Sequence, residues 1–318
     1  IVVIRSATTL TKDILEHAKN IKIIARCGVG VDNVDVEYAK SREIYVTNAP
    51  TANLISLVEH TIGLILSTIR KIYDANASTK SGKWEKSKFV GLELHEKQLE
   101  IVGFGKAGKL LSERLKSFGM KVVFYDPFVS NWEGEEASVT LENLLSSSDV
   151  VSVHVIKTPQ TENLLSKEKL NLLKPNAILV NTSRGGVIDE EYLIELVNSK
   201  KIFGAALDVF DKEPIEENNK ILDSDVLLTP HIGASTIEAQ LKAGLDTVQN
   251  IKKILSDKMY EKSENQNYEE AAILRNQIYA ISNVITSQNI NYQNLKNLDL
   301  IYMIKKQNIS MCLETQLE

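Results

Sequence analysis

Three polar residues of this chain stand just after apolar runs, in settings that read as turns. Arg184 lies in Asn181-Thr182-Ser183-Arg184-Gly185-Gly186, Glu213 in Asp208-Val209-Phe210-Asp211-Lys212-Glu213-Pro214, and His231 in Thr229-Pro230-His231-Ile232-Gly233. As a set they suit the oxidation of a secondary alcohol, which sends a hydride to an acceptor and a proton to a base. Histidine exchanges a proton near neutral pH. A carboxylate on its other ring nitrogen fixes the tautomer and favours the imidazolium. Arginine grips a planar carboxylate through two parallel hydrogen bonds. Taken singly, each has a plain structural explanation. Arg184 could pair on the surface, Glu213 could be a solvated acid, and His231 could cap a following helix.

A second pattern supplies the acceptor. Gly103-Phe104-Gly105-Lys106-Ala107-Gly108 follows an apolar run and opens a helical one. Alone such a string could be an ordinary glycine turn. In this context Gly103 permits the tight turn, Gly105 lets backbone approach a diphosphate, and Gly108 allows close helix–strand packing. The helix start offers free N–H groups and partial positive charge to the phosphates. Asp126 stands 18 residues after Gly108, at the end of the next apolar run. A carboxylate there accepts from both ribose hydroxyls and repels a 2′-phosphate, which favours NAD over NADP.

These residues need a scaffold of alternating strands and helices. Strands are expected at Leu99–Val102, Lys121–Tyr125, Val150–His154, Ala177–Asn181, Gly204–Val209 and Val226–Thr229. Six in this order fit a doubly wound α/β sheet of the Rossmann type, with ligands beyond the strands' carboxyl ends. Before it, Ile1–Ile4, Ile21–Ala25 and Ile44–Thr47 read as strands and Thr11–Lys19 and Val36–Ser41 as helices, a smaller α/β domain. One long apolar helix is expected over Thr51–Asp74 and another over Thr236–Leu255. The expected division is 1–48 for a substrate domain, 49–232 for the nucleotide domain, 233–256 for a returning helix and 257–318 for a helical tail.

Composition narrows the class. The 318 residues are 43% hydrophobic and 25% charged, as in soluble globular chains. Net charge is −5, from 37 basic and 42 acidic residues, which argues against nucleic-acid or membrane-surface binding by the core. Cys27 and Cys312 stand far apart without a Cys/His cluster, so free thiols in a cytoplasmic protein are expected, with no metal site. No apolar run approaches the roughly 20 residues that span a bilayer. The chain opens on Ile1 inside an apolar run, so a piece whose start is missing is expected.

The motifs together resemble the D-isomer-specific 2-hydroxyacid dehydrogenases, and most closely those members that oxidise 3-phosphoglycerate. The stretches that carry the likeness are Arg5-Ser6-Ala7-Thr8, Gly28–Asp35, Ser81-Gly82-Lys83-Trp84-Glu85, Gly103–Gly108, Phe118–Lys121, Tyr125-Asp126-Pro127, Arg184–Glu190, Ala205–Phe210 and Pro230–Thr236. They run from residue 1 to about 255. The resemblance implies a truncated flavodoxin-like substrate domain beside the Rossmann domain. It implies NAD as cofactor and His231 as acid/base, with Glu213 its partner and Arg184 the substrate clamp. It implies that Lys106 and Ala107 meet the diphosphate, Asp126 the ribose and Val155 the adenosine half. Thr182, Ser183 and Arg184 would line the cofactor, Asp208 would hold the nicotinamide amide, and Gly233 and Ala234 would lie beside its ring. The Val29–Gly30 backbone would meet the substrate carboxylate, with Arg5, Arg26 and Lys86 as candidates for its phosphate. The implied reaction opens serine biosynthesis, in a homo-oligomer. Another D-2-hydroxy acid as substrate, or a non-catalytic NAD-binding fragment, are the alternatives.

The chain departs from the family pattern in four places. A βα unit before Ile1 is missing, Glu100 stands where glycine is usual, His154-Val155-Ile156-Lys157 lacks a proline, and the tail differs from the family's regulatory domain. That tail, Lys258–Ile278, is similar to the UVR motif of excision-repair proteins, and Asn297-Leu298-Asp299-Leu300-Ile301 fits the segment beyond that motif in UvrC. An amphipathic extension of no further role is the alternative. The tail is expected to be separate from the enzyme core.

Overall fold

A computed structural model describes residues 1–129 and 132–288, with side chains through 283. The chain forms two compact units, Ile1–Asn53 with the chain from Thr236, and Leu54–Ser235.

The smaller unit begins with β1 (Val2–Ile4), α1 (Lys12–His17), β2 (Ile23–Arg26), α2 (Val36–Ser41) and β3 (Tyr45–Asn48). The strands form a parallel sheet in the order β1-β2-β3, with Ile24 opposite Val2 and Val46. Alternation along β2 sends Ile24 to one face and Ile23 and Ala25 to the other. On the first face Ile24 joins Leu15, Val34, Ala39 and Ile44 of the α1–α2 layer.

The larger unit opens with α3 (Leu54–Ile69), where a single apolar helix was expected over residues 51–74. It ends because Lys71 adopts left-handed backbone, φ 51°, and the chain restarts as α4 (Ile72–Lys80). The remaining elements are β4 (Gln98–Val102), α5 (Lys106–Lys116), β5 (Lys121–Tyr125), β6 (Ala137–Ser138), α6 (Leu141–Ser147), β7 (Val150–Val153), α7 (Lys167–Leu170), β8 (Ile178–Asn181), α8 (Glu190–Asn198), β9 (Gly204–Leu207) and β10 (Leu227–Leu228). The sheet is wholly parallel, ordered β10-β9-β8-β7-β4-β5-β6. It has seven strands because β6, two exposed residues without an apolar run, adds an edge that periodicity could not reveal. Its faces are covered separately: Leu99, Ile101, Phe124 and Val180 meet α3 and α5, and Val102, Val151, Leu179 and Ala205 meet the α6–α8 side. The order reverses between β4 and β7, which places a ligand crevice beyond their carboxyl ends.

The chain then returns to the smaller unit as α9 (Ile237–Glu264) and α10 (Tyr268–Gln288). The boundary expected at 256/257 falls inside α9, which is continuous. The expectation of a separate tail is also corrected. Leu274, Ile278 and Ile281 of α10 and Ile251, Ile254 and Leu255 of α9 pack on Ile1, Val3, Ile23 and Ala25. The hairpin covers the second face of the small sheet because that face is apolar and, among the described residues of the unit, has no other cover. Asn297–Ile301 lie outside the described residues. Among the described residues no helix is long and apolar enough to cross a membrane.

Candidate active site

Loops at the carboxyl ends of the large sheet, with the first turn of α5, carry every candidate of that unit except Lys86. After β4, Gly103 turns with φ 93°, and a Cβ there would lie 2.7 Å from the His154 carbonyl oxygen. A Cβ on Gly108 would lie 2.5 Å from the Gly103 carbonyl oxygen, while one on Gly105 would meet nothing within 4 Å. The three glycines therefore do different things: a tight turn, close packing, and an open approach to backbone. Gly105 caps α5 without any side-chain cap, so the first amides of the helix, those of Lys106 and Ala107, are presented outward. Asp126 follows β5, where its Oδ2 accepts from Phe104 N at 2.8 Å and its Oδ1 from Phe128 N at 2.9 Å. The carboxylate is thereby aimed beside the glycine turn. An open glycine cradle, an uncapped helix start and an oriented acid fit a dinucleotide. Val155 follows β7, after His154, whose imidazole burial pushes down to about 4 and so keeps neutral.

His231 and Glu213 are brought together. His231 Nδ1 lies 2.6 Å from Glu213 Oε2, and Glu213 Oε1 accepts from Phe210 N at 3.0 Å. The carboxylate raises the imidazole above its ordinary 6.5, against an opposing effect of burial. Burial pushes the Glu213 carboxyl up, but the His231 bond and the Phe210 amide outweigh it and hold the group below its usual range. The Arg184 charge acts on His231, opposing its protonation, so the guanidinium is within electrostatic reach of the imidazole. Arg184 Nη1 donates to Ser183 O at 2.7 Å. Its turn is tied by buried Asn181, whose Oδ1 accepts from Ser183 N and Oγ and whose Nδ2 donates to Arg184 O. Glu190 adds a further acid, close to Asp211 and Glu213. Burial and the neighbouring Asp211 push it up to about 8.

Asp208 is 1% exposed and heavily bonded. Its Oδ1 accepts from Thr229 Oγ1 (2.6 Å) and Ile232 N (2.9 Å), and its Oδ2 from Gly233 N (2.8 Å). Burial pushes its carboxyl up, but His60, Thr229 and the two amides more than offset this. Asp208 thus fastens the loop that holds His231, Gly233 and Ala234. A Cβ on Gly233 would lie 2.9 Å from Leu57 Cδ1 and 3.1 Å from Asp208 Oδ2, so a side chain there would crowd the clamp.

Sequence reasoning missed His60 and Thr61 on α3. Thr61 Oγ1 lies 2.9 Å from Thr182 Oγ1, and His60 Nε2 lies 3.1 Å from Thr229 Oγ1. The available signal was a His-Thr pair within a largely apolar helix, since buried polar groups need partners.

The remaining candidates lie elsewhere. Lys86 is exposed on the 3-10 turn Lys86–Phe89. In the smaller unit, Arg5 O accepts from Asn33 Nδ2 at 2.8 Å. Arg26 turns back on its own loop. Its Nη1 donates weakly to Cys27 O at 3.4 Å and fills the space a Gly28 side chain would take. Val29 and Gly30 come next and are half-buried, with Val29 O accepting from Asn48 Nδ2 at 2.5 Å.

The model of the D-isomer specific 2-hydroxyacid dehydrogenase NAD binding domain matches residues 62–233, and that of the UvrB/uvrC motif matches 250–284. The second match straddles α9 and α10. A D-3-phosphoglycerate dehydrogenase of Methanocaldococcus jannaschii is 43% identical over 265 residues, 82% of this chain and 51% of that protein. A hydroxypyruvate reductase of Thermotoga maritima is 45% identical over 258 residues, 80% of this chain and 84% of that protein. The solved structure of an Aquifex aeolicus D-lactate dehydrogenase complexed with NAD and lactic acid superposes with a TM-score of 0.72 at 29% identity, covering 80% of this chain and 82% of that one. The chain spans about half the length of the phosphoglycerate dehydrogenases it matches.

Proposed function

The chain belongs to the D-isomer specific 2-hydroxyacid dehydrogenase family, and we propose that it oxidises D-3-phosphoglycerate to 3-phosphohydroxypyruvate, the first step of serine biosynthesis. The observation that carries this reading is the 2.6 Å His231–Glu213 pair within reach of the Arg184 charge. His231 Nε2 takes the hydroxyl proton while Nδ1–H stays on Glu213, which stabilises the imidazolium that forms. Arg184 holds the substrate carboxylate and draws electron density from the forming carbonyl. Bound NAD supplies the hydride acceptor. For it, the Lys106 and Ala107 amides receive the diphosphate, Asp126 the ribose, and Val155 borders the adenosine half. Thr182, Ser183, Gly233 and Ala234 line the nicotinamide end, and Asp208 fixes the loop there and accepts from the nicotinamide amide.

In the smaller unit, the Val29–Gly30 backbone is the candidate for the carboxylate and Arg5 and Arg26 for the phosphate. Hydroxypyruvate reduction is the second reading, favoured by the Thermotoga maritima relative, of which the chain covers 84%. NADH formation from 3-phosphoglycerate, against NADH consumption with hydroxypyruvate, separates the two. Turnover with non-phosphorylated acids alone would refute the first reading together with the Arg5 and Arg26 assignment. A homo-oligomer belongs to the same proposal, supported by exposed Ile55, Ile72 and Tyr73 on α3 and α4. Light scattering showing a monomer would reject it.

A further inference from the structure

α3 sends two consecutive side chains to two different loops. Thr61 reaches Thr182, at the entrance to the Arg184 turn. His60 Nε2 reaches Thr229 Oγ1 at 3.1 Å and Asp208 Oδ1 at 3.3 Å. The Thr229 hydroxyl already donates to Asp208 Oδ1, so toward His60 it can only accept. An ionised Asp208 can only accept as well. The proton shared by these contacts therefore sits on His60 Nε2.

Asp208 in turn holds Ile232 N and Gly233 N, the two amides directly after His231, and Thr229 two residues before it. Between these anchors His231 has φ 53°, a left-handed backbone that a residue with a Cβ keeps only when its surroundings impose it. The anchors converge on one carboxylate, and His60 is the side chain from α3 that orients it. Between these anchors the same loop sets His231 Nδ1 on Glu213.

We propose that His60 is a positioning residue, acting through Asp208 to hold the strained loop that presents His231 to Glu213. This rests on the acid/base role given to His231 above. It makes α3 a common support for both reacting loops, with Thr61 steadying the arginine turn and His60 the histidine loop.

The test compares the 318-residue chain with its His60→Ala and His60→Gln variants, since a Gln amide can replace the Nε2–H donor. His60→Ala is expected to lower kcat for NADH formation from 3-phosphoglycerate by up to ~100-fold, the cost of misplacing a reacting group by about 1 Å. Its NAD affinity by calorimetry is expected to fall far less than kcat, because the glycine turn and Asp126 are untouched. The His231 imidazole, followed by NMR titration, should fall from its raised value toward the ordinary 6.5 as its hold on Glu213 loosens. Glu213, Asp208 and Arg184 are the charged groups acting on that imidazole. His60→Gln should recover most of both effects. Should His60→Ala fail to fold, His60→Leu, which fills the space without a donor, takes its place. The titration needs no turnover, so a chain inactive on 3-phosphoglycerate would sink the substrate reading and still leave His60 to be judged. Wild-type kcat with an unmoved His231 titration would overturn the proposal. So would a loss of thermal stability with that titration intact.

Discussion

Asp208 at the carboxyl end of β9 and Glu100 in the middle of β4 are equally hidden from solvent, at 1% and 0% exposure. Their carboxyl groups nevertheless move in opposite directions. Asp208 receives two amides, a hydroxyl and an imidazole, and stays below its ordinary value. No described residue is in hydrogen-bonding geometry with either Glu100 oxygen. Burial pushes that group up to about 9, and the nearby Ser148 hydroxyl draws it down only in part. Burial alone therefore does not decide charge in this sheet. The donors do, and loops supply donors where a strand interior cannot, because strand amides are spent on the ladder. The loop layer can thus keep ionised groups beside the candidate site, and the sheet interior keeps its acid neutral.

The comparison can be pressed hardest in the loop layer. His231→Ala removes the proton acceptor and should lower turnover by ~10³-fold, within the range for general acid–base groups. NAD affinity should be unchanged by calorimetry, because the glycine turn and Asp126 are untouched, and equal turnover would reject the role. In the sheet interior the effect is on stability. Glu100 has its folded value raised from 4.5 to about 9, so holding it protonated costs more as pH rises between those values. At pH 7 that cost is about 3 kcal/mol, from 1.36 kcal/mol per unit. Glu100→Met, similar in volume and apolar, should stabilise the chain by about that much in urea melts at pH 7. The gain should vanish near pH 4.5, and a pH-independent difference would show that packing rather than charge is responsible. A smaller effect is expected at Asp126, which is partly exposed. Asp126→Ala should weaken NAD by about 1.5 kcal/mol, the low end for a hydrogen bond to a charged group, and weaken NADP less. Equal losses for both cofactors would remove the ribose assignment.

Much of this was legible in the residues. The glycine turn and the Asp126 spacing pointed to the nucleotide crevice because Gly103 and Gly108 answer local steric demands and Gly105 leaves the backbone open. Alternating apolar runs located the six main strands. What escaped was whatever depends on contacts distant in sequence. Nothing near His60 signals Asp208, 148 positions further on. The Lys71 break in the first long helix is a left-handed residue in an otherwise helical pattern. The hairpin read as separate because its amphipathic spacing does not say which surface it covers, and the small sheet turned out to supply one.

The central claim is that Glu213 sets the proton affinity of His231 for the reaction. The most direct measurement is the pH dependence of kcat/KM for NADH formation from 3-phosphoglycerate, in the wild-type chain and in Glu213→Gln. Oxidation needs neutral His231, so activity should rise with pH through a midpoint above the ordinary 6.5, and the variant's midpoint should move down with a lower plateau. A midpoint that stays in place when the carboxylate is removed would contradict the account.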